Sequence, residues 1–178
     1  MVMTDYKMWG SLRVAKSLGI VDVGKAPHPT ETYRSSGKWG KAGSPKMIPV
    51  FKQVPERADN LETELQQNRY RIMLGELGLR VTKMQLQITV RDGGLYIAKD
   101  RGIYKNTYMI PVKILPDDYV KSIFTYKENC LKEALEAGNW EEPCTDWESW
   151  DGIRCKSYCD VWDYCPKGEL IQSIGGKE

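Results

Sequence analysis

Four of the five cysteines fall in one short stretch: Cys144, Cys155, Cys159 and Cys165, spaced Cys-x10-Cys-x3-Cys-x5-Cys among Trp147, Trp150, Tyr158, Trp162 and Tyr164. Soft sulfur ligands brought together in this way suit an iron–sulfur cluster or a structural zinc, and either would staple the segment. Zinc sites usually repeat cysteine pairs two to four residues apart, and here only Cys155 and Cys159 are so paired. The flanking aromatics would also shield a redox-sensitive cluster from water. The first reading is therefore an iron–sulfur cluster of 4Fe-4S type, the second is zinc, and the third is ordinary buried thiols. Cys130, alone in a helical stretch, reads as a small core residue. Disulfides fit poorly, because the cysteine count is odd and MVMTDYKMWG carries charges where a secretory leader needs an apolar run.

Asp5 and Lys7 form a second candidate pair, in a β-branched and aromatic opening, VMTDYKMW, that alternates well enough to be a strand. A period of two puts both side chains on one face, about 7 Å apart along the strand. There one carboxylate can hold a divalent cation while the ammonium polarises a water or a phosphate oxygen. Lysine-rich proteins contain several such triplets, so the triplet by itself reads as a solvated ion pair.

The chain that must position these groups has 178 residues and a net charge of +2, enough for one substantial core with a metal-bound appendage. The expected division is 1–138 for the core and 139–178 for the cysteine-rich tail. No apolar run of about 18 residues is present, which predicts a cytoplasmic protein without membrane partners. Charge is unevenly spread: Met1 to Arg57 holds ten Lys/Arg against four Asp/Glu, whereas Trp140 to Cys165 holds seven acids against two bases. A basic front half can lie along a polyanion or be an ordinary lysine-rich surface, and the acidic tail would repel phosphate.

After the opening strand, Gly10 breaks the chain and Ser11 is expected to cap a short helix to Leu18, with Leu12, Ala15 and Leu18 on its apolar side. Residues 21–60, rich in Gly, Pro, Ser and Lys, read as a long functional loop. Lys25, Arg34, Lys38, Lys41, Lys46 and Lys52 interleave there with Tyr33, Trp39 and Phe51. Basic side chains for phosphates and aromatic faces for unstacked bases make a platform for single strands or duplex ends; a flexible surface insertion is the plain alternative. His28 has no assigned role. A long helix then runs over LETELQQNRYRIMLGEL, with Leu61, Leu65 and Ile72 on one apolar line and Gln66, Tyr70, Met73 and Leu77 on the next. Met84 to Val90 alternates as a half-buried strand, Leu95–Ala98 and Tyr108–Leu115 extend the sheet, and a helix from Pro116 to Gly138 packs Val120, Ile123, Phe124, Leu131 and Leu135.

This order, an Asp-x-Lys strand, a helix with Gln66-x3-Tyr70, an alternating strand and C-terminal cysteines, resembles the RecB-like branch of the PD-(D/E)XK nucleases. The likeness is nearest to its iron–sulfur members, the CRISPR-adaptation nucleases and related archaeal and phage exonucleases. It covers nearly the whole chain, and its specificity lies in the combination of motifs. It implies a restriction-endonuclease-like α/β core, a mixed sheet flanked by helices, and cleavage of DNA ends or single strands with Mg²⁺ or Mn²⁺. Asp5 and the carbonyl of Tyr6 would bind that metal, Lys7 would position the attacking water, Gln66 and Tyr70 would orient the site, and the four tail cysteines would hold the cluster. Two departures stand out. The family's cluster often takes its first ligand from an N-terminal cysteine, which this chain lacks. The family also carries a helix and two strands ahead of the Asp-x-Lys strand, with a further metal-binding Asp, and only four residues precede Asp5. The expectation is a nuclease missing its front, completed by another chain or nearly inactive alone, or else a non-catalytic nucleic-acid-binding or assembly module.

Overall fold

The computed structural model describes residues 1–138 and 144–175. They belong to two compact units, Met1–Lys121 and Ser122–Glu178. The chain order is β1 (Val2–Trp9), α1 (Ser11–Leu18), β2 (Ile20–Thr32), β3 (Pro45–Gln53), α2 (Leu61–Glu76), β4 (Lys83–Val90), α3 (Tyr96–Lys99), β5 (Thr107–Val112), α4 (Asp117–Ala137), α5 (Ile153–Ser157) and α6 (Pro166–Gly175). Most of α4 thus groups with the cysteine segment. The division expected after residue 138 adjoins residues 139–143, which, with Glu141 and Glu142 of the acidic run, lie outside the described residues.

Unit 1 is mixed α/β. Its sheet runs β1-β4-β5, with β1 parallel and β5 antiparallel to β4. The alternation in β4 works as expected: Met84, Leu86, Ile88 and Val90 turn inward and are buried together with Ile110 and Val112 of β5 and Val14, Ala15 and Ala98 of the helices. The register places Asp5 beside Leu86 and Lys7 beside Ile88, so both candidate residues share the helix-covered face. On the other face Tyr6, Met8 and Met109 stay open to solvent.

The start of α1 differs from expectation. Gly10 is the N-cap and Ser11 is the first helical residue, fully buried. The cap comes from across the fold, where both oxygens of Asp92 accept hydrogen bonds at 2.6 Å from the Ser11 N–H and Oγ. Arg101 Nη1 also donates to Ser11 Oγ at 2.9 Å. The hydroxyl of Ser11 holds the Asp92 carboxyl below its usual range, and with a buried Ser11 the inward stripe rotates to Val14 and Ala15, leaving Leu12 exposed. Gly19 ends the helix as expected, at φ 66°, where a Cβ would come within 2.2 Å of the Val54 carbonyl oxygen.

The stretch 21–60 is not a loop. Most of it is a two-stranded antiparallel ribbon, β2 against β3, rooted where Phe51 and Ile20 pack on Gly102. Shifts of register between Asp22 and Gly24 and between Pro27 and Thr32 destroy the two-residue period. Its prolines are tolerated because each strand has a free edge. Leu95–Ala98, expected as a strand, is the short helix α3, of which only Ala98 is buried. In α4 only Val120 is fully buried, Ile123 is partly buried, and Phe124, Leu131 and Leu135 are exposed.

Candidate active site

The strand β1 and the helix α2 bring the four expected side chains into one hydrogen-bonded line. Lys7 Nζ lies 3.0 Å from Asp5 Oδ2 and donates to Gln66 Oε1 at 3.2 Å. Gln66 Nε2 in turn donates to the hydroxyl of Tyr70 at 3.2 Å. The i, i+4 spacing of Gln66 and Tyr70 on α2 makes that last step possible, and the two-residue spacing on β1 makes the first. About a quarter of each Asp5 and Lys7 side chain remains exposed, so the line opens to solvent while resting on the core. The Tyr6 side chain points to the opposite face.

Sequence reasoning missed the fifth member. Gln67, fully buried, donates from Nε2 to Asp5 Oδ2 at 2.7 Å. The inward face of α2 carries Leu65 and Ile72 of the expected apolar line, with Leu61 exposed, and adds the polar Thr63, Gln67 and Asn68, which an apolar stripe does not mark. Its second expected line is correspondingly at the surface, with Tyr70, Met73 and Leu77 exposed. Asn68 fixes the helix: its amide donates to the carbonyls of Glu64 and Lys113, and its Oδ1 accepts from Leu115 N and Arg71 Nε.

With Asp5 Oδ2 taken by Lys7 and Gln67, the remaining oxygen, Oδ1, accepts no hydrogen bond among the described residues. One free carboxylate oxygen fits a cation that keeps most of its own water, as Mg²⁺ does; the buried Gln67 beside it turns its N–H end, and not its unpartnered Oε1, to Asp5. That oxygen does not make a complete cage: among the described residues no three Cys, His, Asp or Glu side chains gather as ligands.

The expected nucleic-acid residues lie on the ribbon and its tip. Lys25 is on β2, Lys46 and Lys52 are on β3, and Arg34, Lys38, Trp39 and Lys41 occupy the connection. Residues 20–53 hold six bases and two acids. Trp39 is exposed, with Lys38 Nζ 5.7 Å from its ring centre. Lys46 is spent within the ribbon, bonded at 2.8 Å to Glu31, whose carboxyl it holds low. His28 Nδ1 accepts from the N–H groups of Thr30 and Glu31 and so fixes the bulge in β2.

In unit 2 all the cysteines are free: Cys155 is buried, Cys159 and Cys165 are partly buried, and Cys144 is at the surface. Burial of its sulfur, followed by the nearby Glu148, nonetheless raises the Cys144 thiol. Among the described residues no three Cys, His, Asp or Glu side chains stand together as a ligand group, although Cys165 and Cys155 lie near enough to help raise the Cys144 thiol. Other contacts hold the segment. Glu148 accepts from Lys127 and from both the N–H and hydroxyl of Thr145, and Lys167 bridges Asp146 and the Cys144 carbonyl. Trp150 and Tyr158 meet edge to face. The hollow found in this unit is lined by Ile123, Tyr126, Trp147 and Glu148 and takes in none of the thiols.

No helix among the described residues is long and apolar enough to cross a membrane. No family model, no curated protein and no solved structure matches this chain.

Proposed function

We propose that unit 1 carries a metal-dependent phosphodiesterase centre acting on DNA, built on a restriction-endonuclease-like core, with Asp5, Lys7, Gln66 and Tyr70 as its working residues. The observation that carries this reading is the unbroken line from Asp5 through Lys7 and Gln66 to Tyr70. A divalent cation at Asp5 would supply Lewis-acid stabilisation of charge on the scissile phosphate. Gln66 fixes the Lys7 ammonium, which donates to the attacking water or to a non-bridging phosphate oxygen. Water oxygen bonds to phosphorus and gives its proton to bulk solvent, the bond from phosphorus to the leaving sugar oxygen breaks, and the departing alkoxide takes up a proton from solvent. Tyr70, half-exposed, offers its hydroxyl to the nucleic acid. One carboxylate is thin support for this chemistry, so weak activity is expected until another chain adds an acid. Mn²⁺-dependent cleavage of DNA ends and single strands by wild type, Asp5→Ala and Lys7→Ala provides the test. Equal cleavage by all three would remove the site.

A second reading, a nucleic-acid-binding module without catalysis, is favoured by the ribbon, whose six bases outnumber its acids by four (6 − 2). Salt-dependent DNA binding with no cleavage under any metal would select it. In this second reading an iron–sulfur cluster or a zinc held by Cys144, Cys155, Cys159 and Cys165 would staple the tail.

A further inference from the structure

Gln67 presents an unusual imbalance. Its side chain is 1% exposed, its Nε2 hydrogen-bonds to Asp5, and its Oε1 is the one buried side-chain polar atom without a partner among the described residues. The two ends of a primary amide have nearly the same shape, so a half-turn exchanges them at little steric cost. As placed, the end turned away from Asp5, Oε1, has no partner among the described residues, so the only bond that holds this orientation is the one to Asp5. A bare carboxylate demands the N–H end. A carboxylate bearing a divalent cation demands the oxygen.

We propose that Gln67 is a second ligand for a Mg²⁺-class cation at Asp5, its amide turning over on binding so that Oε1 faces the metal. This rests on the reading of Asp5 as a cation-binding carboxylate, and adds a neutral oxygen ligand where the carboxylate set is short. It also gives the empty site a defined structure, because the same amide that helps bind the cation holds the Asp5 side chain in place without it. Hard cations accept amide carbonyls as ligands, and the Lys7 ammonium, which shares Asp5 Oδ2 with Gln67, has a second anchor in Gln66.

The test is a Mg²⁺ titration of the ¹⁵N,¹³C-labelled full chain, following the Gln67 side-chain amide, assigned by its absence in Gln67→Met, and the Asp5 carboxyl carbon. The expected result is that both signals move together with one affinity. Gln67→Met should bind Mg²⁺ several-fold more weakly, and Gln67→Glu, which adds a charge to the ligand set, should bind Mn²⁺ roughly tenfold more tightly. An Asp5 signal that moves while the Gln67 amide stays fixed would overturn the proposal, as would a Gln67→Glu variant that binds no better than wild type. No response of either signal would overturn it too. Cleavage that survives in Asp5→Asn would instead overturn the phosphodiesterase reading, leaving the titration result to stand by itself.

Discussion

Two regions of this molecule concentrate residue types suited to chemistry, and they are held by different physics. Around Asp5 each polar side chain is tied to the next, and the whole line rests on a buried apolar sheet face. Around the cysteines the thiols differ in burial and form no ligand group, and surface ion pairs and one aromatic contact do the holding. The contrast teaches that a regular period fixes which way side chains face, and irregular chain does not. On β1 the strand period and on α2 the helix period fix where side chains go, whereas short helices and turns between Cys144 and Cys165 impose no common face.

The comparison breaks most directly at the core. Leu86→Ala, at a fully buried position under the site, should lose about 2–5 kcal/mol of unfolding free energy in urea. A loss below about 1 kcal/mol would mean that the sheet face does not organise unit 1 as described. Next, acid should unsettle unit 2. Burial raises the Glu148 carboxyl, but the hydrogen bonds from Lys127 and Thr145 outweigh it, lowering the pKa from 4.5 to about 2. A carboxyl depressed in the folded state contributes fully above its unfolded value and is lost as pH falls from about 4.5 towards 2. The Trp147 and Trp150 fluorescence should shift across that window by a transition worth on the order of 2 kcal/mol, and Glu148→Gln should abolish it.

Taken as packed side chains, the thiols make a smaller prediction: Cys155→Ala should cost about 1 kcal/mol, and a chelator should leave the unfolding curve unchanged. A brown protein containing stoichiometric iron, whose tail unfolds in Cys159→Ser, would show instead that these sulfurs gather around a metal. The finest distinction lies on the ribbon. Lys52→Ala should reduce the salt slope of DNA binding by about 0.9, the loss of one phosphate contact. Lys46→Ala should change it less, because Glu31 already holds that ammonium. Equal effects would mean that the Lys46–Glu31 pair opens on DNA.

The parts of this architecture readable in the sequence are those with a strict period. Met84 to Val90 and the Asp5/Lys7 pair were legible because alternation determines facing, and Gln66 with Tyr70 because i, i+4 does. Gln67 was not, since nothing in a polar residue's type says that it turns inward. The ribbon was hidden by its two register shifts and its prolines, which mimic a loop. Exposure of Leu131 and Leu135 on α4 was equally invisible, as an apolar side chain records an opportunity for burial and not its use.

The cap on α1 joins residues 81 apart, as does the bond from Gln85 to Thr4 between the parallel strands, while the ribbon pairs residues at most 33 apart, Ile20 with Gln53. Refolding should accordingly be staged: the local hairpin closes early, and β1 docks late, after the long intervening chain has compacted. Trp39 and Trp9 sit one in each part, so stopped-flow emission from single-tryptophan variants should rise first for Trp39. Simultaneous signals would mean that both parts form in one concerted step.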